Sequence, residues 1–480
     1  MDLTWFTDIV DVGNTYIWSY VLIYLLIGGG LYFTFRTRFI QIRAFGTAWR
    51  ALLSSRSTTR QGITPFQAFA TSLAARVGTG NLSGVASAIL VGGPGAIFWM
   101  WMTAVVGMAT SVIETTLAQV YKTDNDDGTY RGGPAYYIQK GLGSKGLGIA
   151  FAVCLIVSFG FAFSALQANQ VAAAVENAWG VPKILTGTVL AVLIGLIIFG
   201  GIKRIAKVAE LIVPIMAISY LLVALVVVAM NLSELPGLIK LIVSHAMGLE
   251  QASAGVLGYA IKVAIEQGVK RGLFSNEAGM GSGPNAAATA NPKHPVTQGL
   301  ISMAGVFTDT IVICTATASI ILLSGINLGD SQGLEGITLT QAALVTHIGP
   351  IGAHIIAVAL ILFAFTSIMA NYYYGESNLR FIRENQSMVL VFRVLVMGTL
   401  ILGSVVELQT IWKIADLTMG AMAIINVFAL LMLSGVALKV IADFERQFKA
   451  GIDPVFDRTR LPELDNKADS KAWAHRKVDY

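Results

Sequence analysis

The chain alternates between long apolar stretches and short polar segments. Eleven of the apolar stretches reach about 18 residues or more, the length that a helix needs to cross the hydrocarbon core of a bilayer. They run over residues 17–35, 66–91, 96–120, 147–173, 184–201, 208–230, 255–290, 299–324, 352–371, 389–406 and 411–441. This pattern predicts an all-α polytopic membrane protein with eleven transmembrane helices.

The composition agrees with a membrane protein. Hydrophobic residues make up 55% of the 480 positions and charged residues only 13%, whereas soluble domains carry about 25% charged residues. The net charge of +5 lies mostly between the apolar stretches, where basic residues set the orientation in the membrane. We therefore expect a lipid bilayer around the chain and no nucleic-acid partner.

The positions of lysine and arginine predict the orientation of the chain. Basic residues concentrate in the loops after the first, fifth, seventh and ninth stretches, as in loops that face the cytoplasm. They are Arg36, Arg38, Arg43, Arg50, Arg56, Arg60, Lys203, Arg204, Lys207, Lys293, Arg380 and Arg383. The sequence thus predicts a multi-pass protein of the plasma (inner) membrane, with its N-terminus outside and its C-terminus in the cytoplasm.

Glycine-rich interruptions divide the second and seventh stretches. The first interruption reads "GTGN" at residues 78–81, and the second reads "RGLFSNEAGMGSGPN" at 271–285. Because five spans separate them, the second unit enters the membrane from the opposite side, as in transporters built from inverted repeats. We predict a five-plus-five inverted repeat with two broken helices, with repeats at 66–235 and 250–441. An extra N-terminal span with a basic cytoplasmic loop (1–65) precedes them, and a cytoplasmic tail (442–480) follows.

A helix broken inside the membrane exposes backbone groups that need hydrogen-bond partners. The two new helix ends present free N–H groups at one end and free carbonyls at the other, which suits the two charges of a zwitterionic amino acid. Gly78 and Gly80 permit close approach to the backbone, and Thr79 and Asn81 add short polar side chains. Close helix packing is the alternative role for the glycines, but the matching second break favours a binding site.

Ionisable residues also lie inside the predicted spans, where they are rare and are often functional. They are Arg76, Glu114, Glu277, Asp309 and Asp416. We expect Arg76 to pair with Glu114 or Glu277. Asp309 is a candidate to charge a cation site or to relay protons, and the sequence indicates no partner for Asp416. For each of them, structural pairing is at least as well supported as a role in transport.

Six segments of the sequence carry a family resemblance. They are "RVGTGNLSGVA" (76–86), "GGPGAIFWMWMTAVVG" (92–107), "YRGGPAYY" (130–137), "QAN" (167–169), "LFSNEAGMGSGPNAAA" (273–288) and "FTSIMANYYYGE" (365–376). Together they resemble the sodium:alanine (alanine or glycine:cation) symporter family. The resemblance implies a leucine-transporter (LeuT-type) fold, which agrees with the inverted repeat predicted above.

The resemblance implies a set of substrate-binding residues. Gly78, Thr79 and Gly80 would bind the substrate carboxylate and backbone. Gln167 would reach the substrate, or would instead form an interhelical hydrogen bond. The other wall would consist of Phe274, Ser275 and Asn276, although Phe274 is equally explained as a core aromatic residue.

The resemblance also implies Na⁺ as the co-transported ion. Thr366 and Ser367 look like the hydroxyl pair of a sodium site, completed by backbone carbonyls near Ala74 and Val77. Asn81 is a candidate ligand of a second sodium near the substrate. Taken alone, the hydroxyl pair is better explained by hydrogen bonds to carbonyls of its own helix.

Asn371 departs from the family pattern, because members restricted to alanine and glycine often have tryptophan there. Asparagine leaves more room and is polar. The substrate is therefore expected to be a small neutral amino acid: alanine or glycine, with serine or glutamine as alternatives.

These features predict a secondary active transporter that couples inward Na⁺ movement to amino-acid uptake by alternating access. A proton-coupled amino-acid transporter and a non-transporting sensor on the same fold remain alternatives. An enzyme is not expected, because the five histidines are scattered without a metal-binding motif and no nucleophile with its base stands out. A channel is not expected either, because the sequence has no carbonyl filter or repeated ring of charge.

Overall fold

The computed structural model of the chain describes residues 4–56, 62–125, 128–249, 254–328, 333–461, 464 and 470–473. Most of these residues are helical. A short antiparallel hairpin joins β1 (Thr123–Asp124) to β2 (Tyr130–Arg131).

The helices of the first half of the chain are α1 (Asp8–Arg36), α2 (Ile40–Arg43), α3 (Phe45–Ser54), α4 (Pro65–Arg76), α5 (Gly80–Gly92), α6 (Gly95–Val120), α7 (Pro134–Leu142), α8 (Lys145–Trp179), α9 (Lys183–Ile198) and α10 (Gly201–Met230). Those of the second half are α11 (Leu235–Ala246), α12 (Ala254–Asn276), α13 (Gly283–Ala287), α14 (Pro295–Leu322), α15 (Ile337–Ile348), α16 (Ile351–Ile382), α17 (Gln386–Gly403), α18 (Leu408–Lys449) and α19 (Ser470–Trp473).

Eight of the described helices are long and apolar enough to cross a membrane: α1, α6, α8, α10, α14, α16, α17 and α18. The three other predicted spans coincide with the α4–α5 pair, the 16-residue α9 and the α12–α13 pair. The chain is thus a multi-pass membrane protein, whereas eleven crossings remain a prediction.

The first helix break lies at the predicted position. A capping box of Thr64 and Gln67, with Pro65 in the first turn, begins α4. This helix ends at Arg76, because Val77 has a non-helical ψ of 85°. A π-helical turn then starts α5 at Gly80. Such turns occur frequently at functional sites.

The second break also lies at its predicted position. The six residues 277–282 between α12 and α13 are not helical. Glu277, Gly279 and Gly281 have φ values of +57°, +87° and +88°, a region that favours glycine. A side chain at Gly281 would also meet the Asn426 side chain at 2.8 Å.

The two ends of the membrane-spanning helices define two faces of the molecule. One of them, called the hairpin face below, carries the β-hairpin, the loop 291–294 and the described part of the tail. Here the strand-like residue Ile63, just before α4, bridges in parallel to Ala290 just after α13. The Asn291 N–H donates to the Ile63 carbonyl at 3.1 Å. The start of the first broken stretch and the end of the second are therefore held together on the hairpin face.

Two elements differ from the sequence-based expectation. The apolar helix α15 was not predicted, because its 12 residues are too few to span a bilayer; it packs on α16. The segment after 442 was predicted only as a cytoplasmic tail. In the structure α18 continues to Lys449, and Phe456 and Trp473 are buried against the rest of the protein.

Candidate functional site

The two helix breaks lie against each other in the interior of the molecule. A Cβ atom on Gly80 would lie 2.8 Å from the Phe274 ring and 3.4 Å from Ser275 Cα. Asn81 Nδ2 donates to Ser275 Oγ at 3.1 Å. The substrate-site residues predicted on spans two and seven are thus neighbours.

Gly78 lies at a close approach of three segments. The adjacent Thr79 N–H donates to Gln167 Oε1 of α8 at 3.0 Å. A Cβ atom on Gly78 would lie 2.8 Å from Gln167 Nε2, and it would overlap Ser367 Oγ of α16 as well. Glycine is therefore required here, and Gln167 is placed at the first break. The hydrogen bond from the Thr79 N–H to Gln167 also corresponds to the alternative role of Gln167, an interhelical hydrogen bond.

Three polar atoms of the predicted substrate residues make no hydrogen bond to another described residue. They are Thr79 Oγ1, Asn276 Nδ2 and Asn371 Oδ1, and all three are buried. Buried polar groups in proteins nearly always have a partner. Asn371 lies one helical turn beyond Ser367 on α16, while the Asn276 side chain accepts from the Ala278 N–H of its own break at 2.9 Å. Asn276 is thus engaged in shaping the second break.

An aromatic and ionic lid covers Phe274. The Phe274 ring forms edge-to-face contacts with Phe163 and Trp412, with centroid distances of 4.7 and 5.0 Å. The Arg271 guanidinium lies 3.7 Å from the Trp412 ring centroid and binds both carboxylate oxygens of Asp416, at 3.1 and 3.0 Å. The partner of Asp416, which the sequence did not indicate, is therefore Arg271. Arg271 lies one turn before Phe274 on α12.

Above this lid lies a cavity of about 550 Å³, lined by Glu266, Lys270, Arg271, Trp412, Lys413 and Asp416 among others. Its lining is charged, in contrast to the aromatic layer beneath. We call the layer of Trp412, Arg271 and Asp416 the lid.

Of the hydroxyl pair on α16, Ser367 reaches the end of α4, whereas Thr366 contacts carbonyls of its own helix. Ser367 Oγ is 2.7 Å from the Ala74 carbonyl, 3.3 Å from the Val77 carbonyl and 2.8 Å from the Phe363 carbonyl. Thr366 Oγ1 is 3.0 Å from the same Phe363 carbonyl and 3.1 Å from that of Leu362. Ser367 Oγ thus lies among three carbonyl oxygens, two at the end of α4 and one of its own helix, and Thr366 Oγ1 shares the Phe363 carbonyl.

This set of oxygens fits a hard cation, which prefers oxygen ligands. The Phe363 carbonyl was missed by the sequence analysis, although its position three and four residues before the hydroxyls would have indicated it. The hydroxyls also form the hydrogen bonds within α16 that were considered as the alternative. Both descriptions hold for the same geometry, since hydroxyl oxygens remain free to bind a cation when their protons rotate away.

A second polar cluster surrounds the fully buried carboxylate of Asp309. Its Oδ1 accepts from Asn81 Nδ2 at 2.6 Å, and its Oδ2 accepts from the hydroxyls of Ser275 and Thr310, each at 2.7 Å. Cys314 Sγ lies 3.1 Å from Ser275 Oγ. Asp309 is on a π-helical segment of α14, Phe307–Cys314. The two residues considered separately for cation binding, Asn81 and Asp309, are therefore in direct contact.

The expected pairing of Arg76 is present only as a charge interaction. Among the described residues, Arg76 forms no direct ion pair with Glu114 or Glu277, but its charge acts on both carboxylates. Arg76 Nη1 donates to the Ser302 carbonyl at 3.1 Å, and Glu277 accepts from Ser282 at 2.8 Å.

Glu114 instead stabilises the second break. Its Oε2 accepts from the Gly279 N–H at 3.3 Å and from Asn426 Nδ2 at 3.2 Å. Asn426 Nδ2 also donates to the Gly279 carbonyl at 2.9 Å, and Tyr137 donates to Asn426. These contacts hold Gly279 between α6 and α18.

Comparison with known proteins identifies the family. The model of the sodium:alanine symporter family matches residues 3–458. The chain is 49% identical over 449 residues to a probable sodium/glutamine symporter, GlnT, of Bacillus subtilis, covering 93% of this chain and 92% of that protein. The chain belongs to the sodium:alanine symporter family. It is also 41% identical to the sodium/alanine symporter AgcS of Methanococcus maripaludis, covering 90% of this chain and 96% of that protein.

Solved structures agree on the fold. The chain is similar to the crystal structure of MhsT in complex with L-phenylalanine, with a TM-score of 0.51 and 12% identity, over 80% of this chain and 99% of that one. It is also similar to a manganese transporter of Eremococcus coleocola, with a TM-score of 0.53 and 14% identity, over 83% and 80% of the two chains. At this identity the likeness shows a LeuT-type fold and nothing about substrate.

Family membership sets the general function. The family and the relatives are transporters rather than enzymes, so the chain is a secondary amino-acid transporter of a family that co-transports a cation. The choice of amino acid and the coupling to Na⁺ go beyond this statement.

Proposed function

We propose that the protein couples inward Na⁺ movement to uptake of a small neutral amino acid by alternating access. The candidates are alanine and glycine, with serine or glutamine as alternatives. The observation that carries this proposal is the meeting of the Ala74, Val77 and Phe363 carbonyls with the Ser367 hydroxyl. This cation site adjoins Gly78, at the break where the solute would bind, so that one conformational change can affect both.

The proposed topology has eleven crossings and an inverted repeat of 66–235 and 250–441. The basic loops predicted to be cytoplasmic lie on the hairpin face. We therefore assign that face to the cytoplasm of a plasma (inner) membrane, the N-terminus to the outside and the C-terminus to the inside. The charged cavity above the lid then opens outwards.

The proposed substrate site uses both breaks. The amino end of α5 at Gly80 offers partial positive charge to a carboxylate, and the N–H groups of Gly78 and Thr79, which donate to Asn81 Oδ1 and Gln167 Oε1, would turn to the carboxylate when the solute binds. Thr79 and Gln167 add polar contacts, and Phe274 and Ser275 close the opposite side. Asn371, whose buried Oδ1 makes no hydrogen bond to a described residue, would contact the substrate side chain.

Two cation positions are proposed. The first consists of Ala74, Val77, Phe363, Thr366 and Ser367. The second consists of Asn81, Ser275 and Asp309, where the buried carboxylate would balance a positive charge.

Alternating access would move the broken helices relative to α8 and α16. Cation binding between α4 and α16 would hold the end of α4 against the scaffold and so favour the state with a complete substrate site. Closure of the lid over Phe274 would shield the solute from the outside. Separation of α4 from α16 would then release the cation and the solute to the cytoplasm.

Uptake of radiolabelled alanine into proteoliposomes tests this proposal. We expect accumulation that depends on an inward Na⁺ gradient. Unlabelled glycine, serine and glutamine are expected to inhibit this accumulation, each according to how well it fits beside Asn371. Protein-free liposomes and a Ser367→Ala variant are the controls. Uptake that is indifferent to Na⁺ but driven by a pH gradient would overturn sodium coupling.

Proton coupling is the second candidate, and the buried Asp309 cluster is the observation that favours it. A carboxylate held by Asn81, Ser275 and Thr310 is suited to accept either a proton or a cation. Under proton coupling, a pH gradient alone would drive uptake by the wild-type protein. A non-transporting sensor would bind amino acid without accumulation under either gradient.

A further inference from the structure

The described part of the C-terminal tail packs against the hairpin face. The Phe456 N–H donates to the Lys293 carbonyl at 3.0 Å, and the Phe456 ring contacts the His294 ring, with 5.6 Å between centroids. Gln447 at the end of α18 is hydrogen-bonded twice to the Val455 backbone, at 3.1 and 3.0 Å. The chain after α18 is therefore folded back onto the loop that follows α13.

Trp473 completes this arrangement. It is 5% exposed, its Nε1 donates to the Gln119 carbonyl at 3.2 Å, and its ring contacts Phe456, with 4.9 Å between centroids. The Lys122 ammonium lies 4.6 Å from the Trp473 ring and 4.1 Å from the Tyr130 ring. A cation between two aromatic rings, away from water, is strongly stabilised.

Lys122 connects the tail with the second broken stretch. Its ammonium donates to the Ala290 carbonyl at 2.8 Å and to Gln119 Oε1 at 2.9 Å. Gln119 Nε2 donates to the carbonyls of Ala287 and Ala290, at 2.5 and 3.2 Å. Lys122 is fully buried, so its position depends on the aromatic walls that exclude water.

Ala290 in turn is paired with the chain that leads into α4. Ile63 bridges to Ala290, and the Ile63 N–H donates to the Thr289 carbonyl at 3.2 Å. Contacts thus run from Trp473 through Lys122 and Ala290 to Ile63, two residues before the first broken stretch begins. Every link lies on the hairpin face.

We propose that the C-terminal tail is a latch on the cytoplasmic side of the transporter, with Trp473 docked on Lys122 holding the start of α4 against the end of the second broken stretch. This inference rests on the proposed alternating access, in which α4 has to move on the cytoplasmic side. With the tail docked, the cytoplasmic side is closed. When Trp473 leaves, Lys122 becomes hydrated, its hold on Ala290 weakens and the inward-open state becomes more populated.

The test measures access to α4 from the cytoplasm. Ser72 lies on α4, is buried and has a hydroxyl without a hydrogen bond to a described residue, so Ser72→Cys is a small change. A membrane-impermeant thiol reagent is added to inside-out vesicles, and the rate at which it labels this cysteine is measured. The parent protein, which has only Cys154 and Cys314, gives the background rate. Adding Trp473→Ala is expected to speed labelling about tenfold, the effect of losing one desolvated cation–π contact from a two-state equilibrium.

Matched variants separate the latch from a general loss of stability. Phe456→Ala removes the ring beneath Trp473 and is expected to act in the same direction, as is a chain ending at residue 469. Ile452→Ala removes an apolar side chain from the same tail, but one that is 43% exposed, and is expected to leave the rate unchanged. All variants are first checked for monodisperse elution in detergent. The conclusion is drawn only from variants that pass this check.

Alanine uptake, measured on the same variants, distinguishes the latch from the proposed function. Faster labelling in Trp473→Ala or Phe456→Ala, with Ile452→Ala unchanged, supports the latch even if the wild type shows no sodium-driven uptake. Equal labelling rates in all well-folded variants overturn the latch even if uptake is sodium-driven.

Discussion

At the scale of single residues, Gly78 marks the point where the first break meets α8 and α16. A methyl group there would lie 2.8 Å from Gln167 Nε2 and would overlap Ser367 Oγ. We therefore predict that Gly78→Ala lowers alanine uptake more than tenfold, because it displaces side chains of both the substrate site and the cation site. Gly398→Ala is the control, since a Cβ at Gly398 in α17 would have no atom within 4 Å. Similar uptake by the two variants would contradict the assignment.

Ser367 permits a more selective prediction. Its hydroxyl touches three backbone carbonyls, so Ser367→Ala would remove one cation ligand while keeping the backbone ligands. We predict that the Na⁺ concentration for half-maximal uptake rises about tenfold, which corresponds to about 1.4 kcal/mol, with less change in the rate at saturating Na⁺.

The matched control for Ser367 is Thr399→Ala. Thr399 is a half-buried residue of α17 whose hydroxyl donates to the Leu395 carbonyl of its own helix at 2.9 Å. If the effect of Ser367→Ala came only from losing a hydrogen bond within its own helix, Thr399→Ala would also change the Na⁺ concentration for half-maximal uptake. An unchanged sodium dependence in Ser367→Ala would remove this residue from the cation site.

At the scale of secondary-structure elements, the lid connects α12 with α18. Arg271 makes a two-point ion pair with Asp416 and stacks on Trp412. Arg271→Lys keeps the charge but loses the planar two-point contact and the stacking. We predict that maximal alanine uptake falls about tenfold, as expected from the loss of one charge-assisted hydrogen bond, because the lid closes less often over the solute.

The adjacent residue supplies the control for the lid. Lys270 pairs with Glu266 at 2.8 Å within α12, and Lys270→Arg retains both its charge and its ability to pair. Initial uptake rates at saturating alanine and Na⁺ would be compared for the two variants. Equal rates would show that the Arg271–Asp416 pair only stabilises the fold.

The elements also show how far the sequence can lead. Both helix breaks were predictable, because glycine and polar residues inside a long apolar stretch indicate an interrupted helix without reference to any other part of the chain. Contacts between distant elements were not, since no local pattern indicates that Arg271 faces Asp416, 145 residues away. For the same reason, the sequence did not indicate that Arg76 bonds directly to the Ser302 carbonyl or that Glu114 accepts from the Gly279 N–H.

Backbone ligands and short segments were missed for other reasons. The Phe363 carbonyl carries no side-chain signature, so it is recognised only relative to the hydroxyls that follow it. Apolar length is a criterion for membrane crossings, and it overlooks the 12-residue α15. The tail is polar in composition, and only the few buried aromatic residues Phe456 and Trp473 show where it docks.

At the scale of the whole molecule, the fold brings a lid, a solute site and a latch into one series. The lid lies on one side of the two breaks, and the tail contacts lie on the hairpin face. The Ala74–Val77 carbonyls and α16 are between them. Coupling in such an arrangement depends on how many cations the central region binds, and in the proposed mechanism this number depends on Asp309.

The final prediction therefore concerns Asp309 and the coupling of the whole transport cycle. If Asn81, Ser275 and Asp309 form a second cation position, wild-type uptake will depend on Na⁺ concentration in a sigmoidal manner. In Asp309→Asn, which keeps the shape and can still bond to Ser275, the dependence will become hyperbolic, because only the site at Ser367 remains. Cys314→Ala is the control, since Cys314 lies in the same cluster without charge. If instead the dependence on Na⁺ keeps its shape while the response to a pH gradient disappears, Asp309 carries a proton, and the second coupled ion is H⁺ rather than Na⁺.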